Sequence, residues 1–379
     1  MKKQLIAICL FLLSTNYSIC QNRINIFSPG KPWKDSNGNP INAHAGGILL
    51  HEGKYYWHGQ IMVEGASPYG SNAQVGVSCY SSADLYNWEN EGVALNVVTD
   101  DSMHFLAKGC KIERPKVIYN RKTNQFVMWF HHDIKGQGHR NALTGVAISD
   151  KVSGPFRLIK IFRPNANFWP VNVLEDQKRF PKPEALKEYS GGSLPAHPDS
   201  LNILGRDFHR GQMSRDMTLF VDEDGKAYHI YASEENSTMH ISELTDDYLS
   251  FSGKYGRVFV NRFMEAPTMF KKDGRYYMIN SGCTSWAPNA GRSAVAESIW
   301  GPWKELGNPF IGENADISFN SQGTFVLPVA GKKGAYIYIG DRWTPSNAVN
   351  ATYIWLPIQF EGEKPIVKWM DTWTLIFFK

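Results

Sequence analysis

The stretch MEAPTMF at residues 264–270 sets a carboxylate, Glu265, directly before a small residue and a proline, with an apolar run opening behind it. A charged side chain so placed belongs at the mouth of a strand, outside its packed length. The arrangement recurs four times. Glu113 precedes RPKVIY, Asp216 precedes MTLFVD, Gln322 precedes GTFVLP and His44 precedes AGGILL. The residue four positions on, Val117, Phe220, Val326 or Ile48, is apolar, as Met269 is after Glu265. Each opening leads into a turn rich in Gly or polar residues and then an aromatic strand: HEGKYYWHG at 51–59, NRKTNQFVMWF at 120–130, DEDGKAYHIYA at 222–232, KKDGRYYMIN at 271–280 and AGKKGAYIYIG at 330–340. These read as five hairpins. A third segment follows each, such as VGVSCYSSADLYNW or RSAVAESIWGPW. Units of roughly 40–50 residues with about four strands predict an all-β, five-bladed β-propeller. Innermost propeller strands run along the central axis, so His44, Glu113, Asp216, Glu265 and Gln322 are expected to converge as one polar ring.

The chain has 379 residues, 20% charged and 13% aromatic, with a net charge of +4. The slight charge and the lack of a basic cluster interleaved with aromatics give no case for nucleic acid. Residues 1–20, MKKQLIAICLFLLSTNYSIC, have the basic start and apolar middle of a signal peptide. Export, to the periplasm or beyond the cell, is therefore expected. Acylation at Cys20 is the alternative, though Tyr17-Ser18-Ile19 matches the motif poorly. No other stretch is apolar enough to span a bilayer. Removal of the signal would leave Cys79, Cys110 and Cys283, which make neither a disulfide framework nor a zinc motif. The expected organisation is a lead-in at 21–41 and one propeller domain at 42–379. Its blades run over about 42–98, 111–161, 214–260, 262–305 and 320–375. An irregular insert near 162–213, rich in proline, carries one short helix expected at Pro183 to Tyr189 and leads to the mouth of blade three.

Two carboxylates across a pocket are the minimum equipment for glycosidic cleavage, one of them protonated to assist the leaving oxygen. Glu265 and Asp216, at equivalent places on adjacent blades, can supply the coupling that keeps one proton in place. The plainer reading pairs Asp216 with Arg215, Glu265 with Arg262 and Glu113 with Arg114 as structural ion pairs. The convergence of repeat-matched positions favours the catalytic one.

The segments IERPKVIYN, QMSRDMTLFVDEDGKAYHIYAS, EAPTMFKKDGRYYMINSGCTSWAPN, SQGTFVLP and GDRW followed by TYIWLPI resemble glycoside hydrolase family 43. That family consists of five-bladed propellers that cleave with inversion, and the resemblance is nearest to its exo-β-1,3-galactanase branch and the arabinofuranosidases and galactofuranosidases beside it. It covers nearly all of the chain after residue 20 except the insert. It implies Glu265 as general acid and Asp216 as the carboxylate that raises the acid's pKa and orients it. Most of the family carries an Asp at the mouth of blade one, where this chain has AHAGG; the galactanase branch shares that absence, and there the glutamine of SQ-T handles the water, which implies Gln322. An amide is a poor base, so a tautomer or a relay through a neighbour such as Glu113 must move the proton. Glu113 is first a sugar ligand in this reading.

Two departures bear on specificity. Gln60 stands where the galactanase pattern ends YYWYGE in an acid, and Ser285 stands where SGCTSW usually has Gly, so a furanosidase is a comparable alternative. Thr284, Trp286, Arg342 and Trp343 resemble sugar-contact positions, with His44 and Gln60 beside them. Most of the twelve Trp are expected to fill space between blades. His131, His132 and Asp133 raise the question of a metal, but adjacent strand residues face opposite ways, so Asp133 is read as a sugar ligand and neither metal nor cofactor is expected. Glu234, Glu235 and Asn236 either reach substrate or form a solvated turn, and DEDG at 222–225 is read as a hairpin turn rather than a calcium loop. The expected partner is an oligo- or polysaccharide of galactan or arabinogalactan type. A propeller that binds glycans without cutting them is the rival from another class.

Overall fold

Alternating aromatic and aliphatic residues joined by tight turns favour antiparallel pairing, and the computed structural model shows it in five sheets. The structure describes residues 24–64, 75–181, 200–285 and 287–378. Blade one contains β1 (His44–His51), β2 (Lys54–Gln60), β3 (Gly76–Ser82) and β4 (Glu89–Asn96). Blade two contains β5 (Lys111–Asn120), β6 (Gln125–Asp133), β7 (Leu143–Ser149) and β8 (Arg157–Phe162). The helix α1 (Ser200–Arg206) follows in the insert. Blade three contains β9 (Met217–Val221), β10 (Ala227–Ser233), β11 (Thr238–Leu244) and β12 (Phe251–Val258). Blade four contains β13 (Met264–Lys272), β14 (Arg275–Gly282), β15 (Arg292–Ala296) and β16 (Lys304–Gly307). A short β17 (Phe310–Ile311) runs parallel to the outer edge of blade five, which contains β18 (Gln322–Pro328), β19 (Tyr336–Arg342), β20 (Thr352–Glu361) and β21 (Lys364–Lys368).

The first strand of each blade is innermost: β1 lies beside β5, β5 beside β9, β9 beside β13, β13 beside β18, and β18 beside β1. The ring is thereby closed, and the fold is a five-bladed β-propeller. Large side chains fill the wedge between the first and last blades. Trp57 and Trp355 sit 5.2 Å apart between ring centroids, and Trp33 meets Trp355 edge-on at 5.0 Å. The lead-in joins the same wedge: the Phe27 amide donates to the Trp373 carbonyl at 2.8 Å, and the two rings stack at 4.3 Å. An N-terminal segment so placed ties the last blade without donating a strand to it.

The insert packs on blade three. Asn165 Nδ2 donates to the hydroxyls of Tyr231 and Ser242, and Asn172 Nδ2 donates to the Arg257 carbonyl. The helix expected at Pro183 to Tyr189 and the signal peptide at 1–20 lie outside the described residues. Among those described, no helix is long and apolar enough to cross a membrane.

Candidate active site

In four of the blades a β-bulge interrupts the first hairpin at its mouth: after His44, after Glu113, after Glu265 and after Gly323. In three of them the next residue is left-handed: Ala45 at φ 49°, Arg114 at 52° and Ala266 at 51°. A bulge releases one backbone amide from the ladder, and each freed amide here bonds a side chain of the preceding blade. Ala266 N donates to Asp216 Oδ2 at 3.1 Å, Arg114 N to Gln60 Oε1 at 3.3 Å, and Ala45 N to Asp341 Oδ2. The mouths are stitched into one rim.

Arg114 is the hub of that rim. Its Nε contacts Asp216 Oδ1 at 2.9 Å, one terminal nitrogen donates to Gln322 Oε1 at 2.7 Å, and the other donates to the Gly323 carbonyl at 3.0 Å. One guanidinium thus connects blades two, three and five, a task suited to a planar fork of donors. Gln322 completes its amide by donating from Nε2 to Ser281 Oγ at 3.1 Å. Glu265 Oε1 accepts from Asn236 Nδ2 at 2.7 Å and from the Cys283 thiol at 3.2 Å. Burial, then the charge of Asp216, raises the Glu265 pKa from 4.5 to about 7, against the Cys283 hydrogen bond and the charge of Arg114. A carboxyl so poised keeps its proton near neutrality and can give it up.

The simple ion pairs expected from sequence neighbours do not form. Arg215 contacts Glu235 at 2.9 Å, Arg262 contacts Glu305 at 2.8 Å, and Asp216 has Arg114 instead. Glu113 meets His131 Nδ1 at 3.0 Å, and His131 Nε2 faces Asp133 at 3.4 Å. Burial alone would raise the Glu113 pKa, but the His131 hydrogen bond and the charges of Lys111 and His131 hold it well below the usual carboxylate range. Burial likewise opposes charging His131, yet Asp133 and Glu113 raise it to about 9. Glu113 is therefore ionised and clamped, which makes it a weak proton acceptor.

Asp133 is 1% exposed, with His131, His139 and the Ala142 amide on its oxygens, so it orients His131 from beneath and is in no position to grip a sugar. Glu113, His131 and His139 bring ligand-type atoms within 4.8 Å of one another. A cation there would have to displace Glu113 and Asp133 from His131, and Asp133 and the Lys111 ammonium, 2.7 Å from Nε2, from His139. The donor set does not fit a metal.

Gln322, Ser281, Ser285, Asp341 and Trp343 line one pocket. His44 is fully buried behind Trp343, stacked on Tyr353 at 5.2 Å, and burial lowers its pKa to about 3. Gln60, 2% exposed, holds the Arg114 amide from below. The Thr284 hydroxyl is used within its own loop, donating to the Ala287 carbonyl at 2.6 Å. Arg342 projects away from Asp341 and Trp343 into a neighbouring cleft, where it lies 5.4 Å over Trp369 and donates to the Phe319 carbonyl. Trp286 lies outside the described residues.

Glu234, Glu235 and Asn236 form no solvated turn. All three are buried and left-handed in φ. Glu234 is bonded by His240 and Arg257, Glu235 by Arg206 of α1 and by Arg215, and Asn236 reaches Glu265. The insert therefore braces the loop that holds Glu265. Sequence reasoning missed Arg114, Cys283 and Asp341 as site residues and left Asn236 between a substrate contact and a solvated turn. Hairpin register was the available signal for Asp341, since it lies directly opposite Gln322.

A search of curated proteins finds no match. The model for glycosyl hydrolases family 43 matches residues 201–351. Among solved structures, a family 43 β-1,3-galactosidase with galactodeoxynojirimycin is 48% identical, with a TM-score of 0.85 over 92% of this chain and 100% of that one. An exo-β-1,3-galactanase from Clostridium thermocellum is 35% identical, with a TM-score of 0.72 over 92% of this chain and 66% of that one. One from Phanerochaete chrysosporium with β-1,3-galactotriose is 30% identical, with a TM-score of 0.73 over 93% and 68%. With nearly half its residues shared along the full length of such an enzyme, this chain belongs to glycoside hydrolase family 43.

Proposed function

We propose that the protein is an exported, inverting, exo-acting β-1,3-galactosidase that removes terminal galactosyl units from galactan or arabinogalactan. The observation that carries this reading is the paired state of Glu265 and Asp216. A buried carboxyl with a pKa of about 7 stands beside Asp216 of the adjacent blade, which Arg114 links to an amide at the pocket wall. Glu265 protonates the leaving oxygen, Asp216 keeps that proton in place, and Gln322, immobilised by Arg114 and Ser281, holds the attacking water. Likeness to a β-1,3-galactosidase bound to a galactose-shaped iminosugar supports galactose as the released unit. Gln60, whose exchange favoured a furanosidase, is buried with its oxygen taken by the Arg114 amide. That weakens the alternative, while Ser285 in the pocket wall keeps it open to test.

The test sets β-1,3-galactobiose beside nitrophenyl α-L-arabinofuranoside and nitrophenyl β-D-galactofuranoside, with proton NMR of the first-formed sugar. The expected result is turnover of the galactobiose with α-galactose as the initial anomer. Early products longer than two sugars from galactan would contradict exo action. No sugar released overnight from arabinogalactan would favour the glycan-binding rival.

A further inference from the structure

We propose that Asp341 is the general base of this site, taking the proton from the water that Gln322 holds. The inference rests on the inverting hydrolase reading, in which the attacking water must give up a proton on the side opposite the acid and an amide is a poor acceptor for it. The blade-one mouth, Ala43-His44-Ala45, offers no carboxylate. The other carboxylates of the rim are engaged. Asp216 is held by Arg114 and the Ala266 amide, Glu113 by His131, Glu234 by Arg257 and His240, and Glu235 by Arg206 and Arg215.

Asp341 differs from all of them. It is the penultimate residue of β19 and lies directly opposite Gln322 on β18, so the two side chains leave the sheet on one face, and both line the same pocket. Oδ2 accepts from the Ala45 amide, which places the carboxyl at the mouth of blade one although it belongs to blade five. Oδ1 makes no protein hydrogen bond among the described residues. The groups that face it are the Ala45 amide from β1, Arg114 and Lys116 from β5, Tyr353 from β20 and Tyr338 of its own strand. Burial raises its pKa to about 7 against the Ala45 bond and the charges of Arg114 and Lys116. Such a carboxylate is a far better proton acceptor than one titrating in the ordinary range.

The step balances. The water oxygen bonds to the anomeric carbon as the bond from that carbon to the leaving oxygen breaks, its electron pair departing with that oxygen. Glu265 protonates the leaving oxygen, and the water's proton passes to Asp341. The site ends with Glu265 ionised and Asp341 protonated, and exchange with bulk water resets it.

The experiment compares the wild type with Asp341→Asn and Asp341→Ala on whichever of the three substrates the wild type cleaves. Asn keeps an oxygen for the Ala45 amide, and melting curves check the fold. A loss of about 10²–10⁴-fold in kcat/KM is expected, and the residual activity should lack the acid limb of the pH profile while keeping the alkaline limb set by Glu265. Azide should restore Asp341→Ala on an aryl glycoside and yield the glycosyl azide of inverted configuration. An active wild type whose Asp341→Asn variant keeps its rate and its acid limb overturns this assignment alone. A wild type inert on all three substrates overturns the hydrolase reading and this assignment together. Should both variants unfold, the wild-type profile decides: kcat/KM must fall as pH drops below about 7, and a flat profile down to about pH 5 overturns the proposal.

Discussion

In the proposed reaction Glu265 serves as an acid only while it holds its proton, and after burial the charge of Asp216 is the next largest reason that it does. Asp216→Asn removes that charge, so the Glu265 pKa falls and less of it is protonated at pH 7. The alkaline limb of kcat/KM should shift to lower pH, and turnover of β-1,3-galactobiose should drop by about 10²–10⁴-fold. A nitrophenyl galactoside should lose far less, because nitrophenolate departs without a proton. Equal losses on both substrates would remove Asp216 from any role in protonation. Arg114 offers a second test. Its three nitrogens serve Asp216, Gln322 and Gly323 separately, and the single ammonium of a lysine cannot hold all three. Arg114→Lys should lower kcat by about 10²-fold, since misplacing a water-holding amide by an ångström has that effect, with KM less changed. A variant with wild-type kcat would show that the bridge is dispensable.

At the scale of the strand, the site depends on where first hairpins begin and end. A Cβ added to Gly59 near the end of β2 would lie 2.1 Å from the Ala43 carbonyl carbon, and backbone cannot yield as a flexible side chain does. Gly59→Ala should push the blade-one mouth outward and break the Ala45–Asp341 contact. The expected cost is about 1–3 kcal/mol in urea unfolding, together with loss of activity; an unchanged midpoint and rate would refute that packing. The openings of inner strands were legible in the sequence because each pairs a polar residue with an apolar one four positions later. Glu265, Asp216 and Gln322 were found that way. Strand ends were less legible. An antiparallel hairpin returns its second strand to the rim where the first began, so Gln60, Asp133 and Asp341 all finish there. Whether such an end points into the pocket, as Asp341 does, or beneath it, as Asp133 does, depends on bulges that sequence spacing does not reveal. Asn236 was left undecided for a related reason. Three consecutive left-handed residues fold Glu234, Glu235 and Asn236 inward, where their polar composition fits a surface turn as well as a substrate contact.

For the molecule as a whole, the same carboxyls set how stability varies with pH. Glu265 and Asp341 have folded-state pKa values of about 7, above their ordinary values of 4.5 and 3.8. Raised values bind protons more tightly in the folded state, so their contribution is fully present below about pH 4 and is lost as pH rises through 7. Glu113 and Asp133 are shifted downward, and their contribution is present at neutral pH and lost as pH falls. The fold is thus supported at neutral pH by the clamped carboxylates around His131 and opposed by Glu265 and Asp341, whose burial is left uncompensated. Glu265→Gln keeps the shape and the oxygen for Asn236 while deleting the charge. It should therefore melt above the wild type near pH 8, by a difference corresponding to at most about 3 kcal/mol for a shift of this size. Near pH 5, where the wild-type carboxyl is already protonated, the difference should shrink toward zero. Thermal melts of both proteins at the two pH values provide the check. An offset that does not change with pH would mean that Glu265 ionises as readily in the folded chain as in the unfolded one, leaving no proton held in readiness for the leaving sugar.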